Sequence, residues 1–257
     1  MKLEVRDLSV AFGEQTVVRI EALDLSDGEV LGLAGESGSG KSTLALAILG
    51  LTGQMGATVA GSIQLDGREL VGMPEQELRI IRGRRIAMVF QSPVSAFNPV
   101  IRIGDLFLRA LRHHGVERAD ARERANQALR EVFLPPEMLA RYPHQLSGGQ
   151  AQRAAIALAI ALRSELLIAD EPTSALDVTV QAEVIEVIRR LQVQERLGVL
   201  FISHDLAVLG ELSDTLVVLR AGEQVESGPA AQVLEAPQHA YTRELVASMP
   251  KLGGALS

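Results

Sequence analysis

The sequence contains no cysteine, no run of apolar residues long enough to cross a membrane and no excess of basic charge. Without cysteine, disulfides, thiolate metal sites and cysteine nucleophiles are excluded. The longest apolar run covers nine residues, 154–162, between Arg153 and Arg163, whereas a membrane-spanning helix needs about 20. We therefore expect a soluble chain that meets a membrane only through a partner.

Acidic residues outnumber basic ones, 32 against 25, which gives a net charge of −7. This balance argues against a partner bound mainly through its phosphate backbone, so we expect no nucleic acid partner. The 257 residues, 47% of them hydrophobic, are enough for a globular domain with a substantial core. The first twelve residues alternate as a strand does, and no signal peptide is expected there.

Short apolar strands alternate with helices along much of the chain. The predicted strands cover residues 30–34, 86–90, 166–169 and 199–203, and the predicted helices cover 41–51, 149–162 and 178–194. Such alternation predicts a mostly parallel sheet with helices on its faces. Residues 103–142 are rich in Arg, Glu, Ala and Leu, which indicates a helical subdomain inserted between two halves of this core.

A glycine-rich loop follows the first of these strands and opens a helix. It reads Gly35-Glu36-Ser37-Gly38-Ser39-Gly40-Lys41-Ser42 and matches G-x-x-x-x-G-K-[ST]. Glycines let backbone N–H groups face phosphate oxygens, and a helix N-terminus favours negative charge. Lys41 is predicted to reach the β- and γ-phosphates of ATP, Ser42 to hold Mg²⁺, and Thr43 to contact the α-phosphate. The alternative is a glycine-rich turn that merely joins a strand to a helix.

Two carboxylates end the predicted strand 166–169. Ligands gather at the carboxyl ends of parallel strands. Asp170 is therefore predicted to support Mg²⁺, and Glu171 to polarise the attacking water as a general base. The alternative is that both acids only mark the exit of the strand into solvent.

Two further strands end in polar side chains at the same predicted edge. His204 follows residues 199–203 and is predicted to contact the γ-phosphate. Gln91 follows residues 86–90 and is predicted to bind Mg²⁺ or the attacking water. Taken alone, the histidine could be structural and the glutamine a surface amide.

The pentapeptide Leu146-Ser147-Gly148-Gly149-Gln150 precedes a predicted helix. Ser147 can cap that helix, and the two glycines leave N–H groups open to an anion. By itself this is a well-capped helix. The glycine-rich loop, Gln91, this pentapeptide, the carboxylate pair, Ser174-Ala175-Leu176-Asp177 and His204 follow one another along the chain. That series closely resembles the motifs of ABC transporter ATPases over nearly the whole chain.

The resemblance implies an α/β fold, the P-loop NTPase core of ABC ATPases. It implies one ATPase domain over residues 1–257. Residues 1–91 and 164–257 would form a core with a mostly parallel sheet and an N-terminal antiparallel β-subdomain. Residues 92–163 would form the segment after Gln91, the inserted α-helical subdomain and the signature pentapeptide.

The resemblance also implies that two such domains pair head to tail around ATP and Mg²⁺. Residues Ser147, Gly148, Gly149 and Gln150 would contact the ATP held by the partner. Asp177 would connect the two sites across the interface. Phe12 stands where the family has an aromatic residue that stacks on adenine; the alternative is a core residue of the first strands.

Three segments, 91–99, 175–181 and 236–243, resemble ATPases of the peptide and nickel importer group, although Ala240 stands where many relatives have proline. Members of that group carry di- and oligopeptides, nickel or metal chelates, and some opine- or sugar-like solutes. One implied partner is a second ATPase subunit, either a paralogue or an identical chain. Two transmembrane permeases are also implied, docked on residues 92–104 and the helical insert. An extracytoplasmic solute-binding protein is implied as an indirect partner. The implied location is peripheral, on the cytoplasmic side of the inner membrane.

Two other functions stay open on the residues alone. One is an ABC ATPase that acts on ribosomes or DNA, which in its usual forms has two ATPase units in one chain or long inserted coiled coils. The other is a regulatory subunit without catalysis, although every expected catalytic position is filled.

Overall fold

In the computed structural model, residues 1–174 and 176–249 are described. Ala175, which belongs to the motif of residues 174–177, lies outside the described residues. So do residues 250–257 of the predicted domain. The predicted division of the chain at 91/92 and 163/164 stays a prediction.

The described residues form ten strands and ten α-helices. The strands are β1 (Lys2–Phe12), β2 (Gln15–Ser26), β3 (Val30–Ala34), β4 (Ala57–Leu65), β5 (Arg68–Glu69), β6 (Ile86–Val89), β7 (Leu166–Asp170), β8 (Gly198–Ile202), β9 (Thr215–Arg220) and β10 (Glu223–Pro229). The helices are α1 (Lys41–Ile48), α2 (Glu75–Ile81), α3 (Pro93–Ala96), α4 (Ile103–His113), α5 (Arg118–Glu131), α6 (Gly148–Leu162), α7 (Val178–Glu195), α8 (Leu206–Leu212), α9 (Ala230–Glu235) and α10 (Ala240–Ala247). Short 3₁₀ turns cover Thr52–Met55, Pro136–Ala140 and Pro143–Gln145.

One sheet holds all ten strands, in the order β5-β4-β1-β2-β10-β9-β3-β8-β7-β6. The half from β9 to β6 is parallel throughout, whereas β5, β4, β1 and β2 pair antiparallel. The halves meet where β10 pairs with β2 through Glu223 and Arg19. The α/β fold with an antiparallel N-terminal part is confirmed, and the two parts share a continuous sheet.

Burial explains why the parallel strands read as apolar runs. Every residue of β3, β7 and β8 is buried, as expected for strands covered on both faces by helices. Each of these strands is followed by a polar segment, so the polar side chains collect at the carboxyl edge of the sheet.

The strand β1 alternates instead, because one of its faces packs on the core. Its fully buried residues are Leu3, Val5, Leu8 and Val10. The alternation skips one step after Val5, where the register with β4 shifts and Asp7 adopts a left-handed φ of 48°. This bulge turns Leu8 rather than Asp7 towards the core.

The helices of the insert bury small residues against one another. Ala121, Ala125 and Leu129 of α5 are buried in one cluster with Phe107 of α4 and Ala154 of α6. Alanine at these positions lets the helices approach closely. Over the described residues, no helix combines the length and the apolar character that crossing a membrane requires.

Candidate functional site

The glycine-rich loop runs from the end of β3 to the start of α1, and two of its glycines are required by packing. A Cβ on Gly35 would lie 2.3 Å from the carbonyl oxygen of Leu219, and one on Gly40 would lie 2.9 Å from that of Val17. Both also have positive φ, 149° and 94°. A Cβ on Gly38 would meet nothing within 4 Å, so the middle of the loop faces open space.

The helix α1 begins directly after Gly40 and has no side-chain cap. Its first N–H groups have no carbonyl partner within the helix, which suits them to bind an anion. Glu36, Ser37 and Gly38 are exposed. The loop and the helix start therefore present free space and N–H groups where the motif predicts a phosphate cradle, and their contact with ATP stays a prediction.

The ammonium of Lys41 is buried inside the loop. Its Nζ donates hydrogen bonds to the carbonyl oxygens of Gly35 and Glu36, each at 2.7 Å. A third bond reaches the hydroxyl of Ser39 at 3.3 Å. Burial lowers the pKa of Lys41, and the nearby carboxylates, Glu171 first, oppose that shift. A positive charge thus sits beside the phosphate cradle and next to two acids.

Asp170 ends β7 and is buried close to the start of α1. Burial raises the pKa of its carboxyl group. A hydrogen bond with the Ser42 hydroxyl and the charge of Lys41 act in the opposite direction, whereas the charge of Glu171 raises the pKa further. A buried carboxylate beside a hydroxyl oxygen is the hard oxygen donor set that Mg²⁺ prefers. The residues present therefore fit the cation.

No group of three or more acidic, histidine or cysteine side chains that could hold a metal gathers anywhere in residues 1–174 and 176–249. A cation at this edge would accordingly rest on a mixed set of donors. The set predicted from the sequence is Ser42, Gln91 and Asp170. The structure links Ser42 directly to Asp170, and it places Gln91 on the neighbouring acid, Glu171.

Three of the predicted residues meet at the carboxylate of Glu171. The Nε2 of Gln91 donates to Oε2 of Glu171 at 3.0 Å, and Nδ1 of His204 lies 3.3 Å from Oε1. The side chain of Glu171 is 16% exposed and that of His204 60%. The structure thus brings together acid, amide and imidazole from the ends of β7, β6 and β8, while their catalytic roles stay predictions.

The backbone of Glu171 is held in an unusual conformation. Its φ is 46°, a left-handed value that is uncommon for a non-glycine residue. Its N–H donates to the carbonyl oxygen of Ile202 at 2.9 Å, which ties the residue to the end of β8. This bond holds the backbone from which the carboxylate reaches Gln91 and His204.

Ser174 completes this cluster, and the sequence prediction assigned it no role. Its hydroxyl accepts a hydrogen bond from Nε2 of Gln91 at 3.2 Å and donates one to the carbonyl oxygen of Glu171, also at 3.2 Å. The amide of Gln91 is therefore oriented by two partners. The sequence signal that could have indicated this role is its position three residues after Glu171. In the structure the two residues close a turn, in which the Ser174 N–H donates to the Glu171 carbonyl.

The signature pentapeptide caps α6 as predicted. The hydroxyl of Ser147 accepts the N–H of Gln150 at 3.3 Å, and the Gln150 side chain accepts the N–H of Ser147 at 3.1 Å. This reciprocal pair is a capping box. Ser147 and Gly148 are exposed. Among the described residues, no hydrogen bond or ion pair joins residues 147–150 to residues 35–43.

The start of α7 lies beside the signature. Asp177 caps that helix by accepting the N–H of Val180 at 3.0 Å, and Gly148 lies close to Leu176. Asp177 therefore has a local structural function as well as its predicted place at the interface, and it remains exposed. Two capped helix starts thus form one exposed surface.

Phe12 is partly buried at the end of β1 and packs against the core of the antiparallel half. The alternative of a core residue thus has a structural basis. Its contact with adenine stays a prediction.

Gly149 allows the two helix starts to touch. A Cβ on Gly149 would lie 2.1 Å from Cγ1 of Val180, which is branched at Cβ and cannot easily turn away. We expect Gly149→Ala to lower the free energy of unfolding by about 1–3 kcal/mol in denaturant titration.

The matched control is Gly148→Ala, because a Cβ there would contact Leu176 at an ordinary 3.5 Å. That variant should keep the stability of the wild type. Val180→Ala should restore most of the loss in a double variant with Gly149→Ala. Equal stability of Gly149→Ala and the wild type would contradict the tight contact.

Comparisons with known proteins agree with these motifs. The family model "ABC transporter" matches residues 19–174. The chain is 42% identical, over 98% of its length, to the glutathione import ATP-binding protein GsiA of Escherichia coli K12. It is 46% identical, over 97% of its length, to the peptidoglycan transport ATP-binding protein YejF of Agrobacterium fabrum. The chain spans 42% and 47% of the lengths of these two relatives.

Solved structures show the same fold. The ATP-binding cassette MJ0796, described as a dimer in a post-hydrolysis state bound to ADP and Pi, superimposes with a TM-score of 0.76 at 26% identity, over 89% of this chain and 98% of that one. CbiO1 of Clostridium perfringens gives a TM-score of 0.78 at 23% identity, over 97% and 96% of the two chains. With the family model covering more than half of its length, the chain belongs to the ABC transporter family.

Proposed function

We propose that the chain binds Mg·ATP and hydrolyses it as one of two ATPase subunits that power a membrane importer of peptide-type solutes. The observation that carries the proposal is the convergence at one edge of the sheet. Glu171 lies between Gln91 and His204 at 3.0 and 3.3 Å, and its charge acts on the ammonium of Lys41 inside the loop.

The proposed division of labour follows from these positions. The N–H groups of the loop and of the first turn of α1 hold the phosphates, and Lys41 neutralises part of their charge. Mg²⁺, when bound, supplies further charge neutralisation, with Ser42 and Asp170 as its protein donors. Glu171 accepts the proton of the attacking water, while Gln91 and His204 keep its carboxylate oriented. Positioning and charge account for most of the rate in such a site.

The proposed second subunit supplies the signature that this loop lacks. In one chain, residues 147–150 make no bond to the loop 35–43 among the described residues. Ser147 and Gly148 are also exposed, so these two residues are available to another subunit. The dimer of MJ0796 with ADP and Pi supports such a pairing. A paralogue or an identical chain can fill the second place.

The proposed importer partners rest on an exposed segment and on the relatives. After Gln91 the chain presents Val100, whose side chain is 78% exposed, on the segment predicted to dock on the permeases. A peripheral position on the cytoplasmic side of the inner membrane follows from that docking. The names of the relatives, glutathione import and peptidoglycan transport, favour a peptide-type solute over nickel.

The two rival functions make different predictions. An ATPase that acts on ribosomes or DNA would co-purify with nucleic acid. The net charge of −7 does not favour binding to a phosphate backbone. A regulatory subunit would show no ATPase activity in the assembled complex. The intact set of Lys41, Asp170, Glu171 and His204 favours catalysis.

Transport tests the solute class. We expect deletion of the gene to abolish uptake of radiolabelled glutathione or of a labelled oligopeptide, because the proposed pair of ATPase subunits could no longer assemble. A plasmid copy should restore uptake, and a copy with Glu171→Gln should not. Nickel uptake, measured in the same strains, should be unchanged. Loss of nickel uptake alone would reassign the solute, and normal uptake of all three would refute the importer.

A further inference from the structure

The last described segment of the chain is tied to β10 by one carboxylate. Glu226 accepts the backbone N–H groups of Gln238 at 2.7 Å and His239 at 3.0 Å. His239 in turn caps α10, since its Nδ1 accepts the N–H of Tyr241 at 3.2 Å. The first turn of α10 is thereby fixed against the sheet, and Tyr241 is fixed with it.

Tyr241 reaches from this turn into the phosphate-binding loop. The residue is 3% exposed, and its hydroxyl oxygen accepts the backbone N–H of Glu36 at 3.2 Å. The guanidinium of Arg220 lies 4.9 Å from the centre of its ring, in the geometry of a cation–π contact. Packing, a charge and a hydrogen bond thus hold one hydroxyl against one loop residue.

That N–H shares its peptide group with the carbonyl of Gly35, which accepts the ammonium of Lys41 at 2.7 Å. In a trans peptide the N–H and the C=O point in opposite directions, and no cis peptide occurs among the described residues. Tyr241 and Lys41 therefore hold the Gly35–Glu36 peptide group from its two sides. If that group turned, the carbonyl would move away from the ammonium.

We propose that Tyr241 is a positioning residue for nucleotide binding. Its hydroxyl sets the orientation of the Gly35–Glu36 peptide group and, through the Gly35 carbonyl, the place of the Lys41 ammonium. The inference rests on the proposed function, because Lys41 is there assigned to the phosphates of ATP. The competing explanation is that Tyr241 only anchors α10 by packing.

The test is Tyr241→Phe in the full chain, which removes the hydroxyl and keeps the ring. Binding of ATP with Mg²⁺ is measured by calorimetric titration, and ATPase kinetics are measured in the assembled complex. We expect the Kd and the KM for ATP to rise about five- to twentyfold, as for one lost hydrogen bond. The kcat should change less than about twofold, because the bond is made equally in the ground and transition states.

Tyr142→Phe is the matched control, because Tyr142 is the other tyrosine of the chain and stacks on His144 in the insert. It should bind ATP as the wild type does. In a Glu36→Pro background the N–H donor is gone, so Tyr241→Phe should have no further effect on the Kd.

The outcomes separate the two proposals. Failure of the wild type to bind ATP would overturn the proposed function. Wild-type affinity in Tyr241→Phe, or an equal loss in the Glu36→Pro background, would overturn the positioning role and leave packing alone. A lower thermal midpoint with an unchanged Kd below that midpoint would do the same.

Discussion

Glu171→Gln is expected to stop ATP turnover while ATP still binds. The amide has nearly the shape of the carboxylate, so the contacts with Gln91 at 3.0 Å and His204 at 3.3 Å lose little packing. An amide cannot accept the proton of the attacking water. Loss of a general base costs about 10²- to 10⁴-fold in rate, and we expect kcat to fall within that range. The Kd for ATP should stay within about threefold of the wild type, because the residue acts on the water and not on the phosphates.

The same variant should accumulate as a closed pair of subunits. If ATP joins two subunits and hydrolysis separates them, a chain that binds without hydrolysing keeps its partner. Light scattering with ATP should therefore give twice the mass found without it.

The control for this variant lies at the other end of the same strand. Glu165 directly precedes β7, at the opposite end of the strand from Glu171. It forms an ion pair with Arg85 at 2.7 Å. Glu165→Gln should hydrolyse ATP at the wild-type rate and should not accumulate as a dimer. Turnover by Glu171→Gln within a few-fold of the wild type would show that Glu171 is not the general base. His204 would then be the next candidate for that role.

The parallel strands were predictable because each is buried on both faces. The prediction for β3 matches Val30–Ala34, and those for β7 and β8 differ from the structure by one residue at each affected end. An apolar run predicts such a strand, and the polar residue that follows the run predicts where its carboxyl end lies. The meeting of Gln91, Glu171 and His204 follows from that pattern, since neighbouring parallel strands end at one edge.

Contacts between elements that are far apart in the sequence left no such pattern. Tyr241 and Glu36 are 205 residues apart, and the hydroxyl pairs with a backbone N–H, which every non-proline residue carries. The place of β10 between β2 and β9 also depends on one short pairing, through Glu223 and Arg19. Sequence periodicity reports which face of an element is buried and gives no information about which element covers it.

Lys41→Ala is expected to abolish useful binding of ATP. The chain has three lysines, and Lys41 alone among residues 1–174 and 176–249 has its ammonium buried within the phosphate-binding loop. The neighbouring acids Asp170 and Glu171 would then face the phosphates without that positive charge. Removal of one partner from a buried charged contact costs about 2–5 kcal/mol, so we expect the Kd for ATP to rise about 30- to 5,000-fold in calorimetric titration.

Lys2→Ala provides a control with the same chemical change. Lys2 is exposed and pairs with Glu4 at 2.8 Å, and exposed pairs contribute little to stability. That variant should bind ATP normally. The fold of Lys41→Ala should persist, because burial of the ammonium lowers its pKa and its removal relieves that desolvation, which offsets the three lost hydrogen bonds. A folded Lys41→Ala chain with wild-type affinity would show that the loop holds phosphate through its backbone alone. Positioning of the Lys41 ammonium by Tyr241 would then not matter for ATP binding.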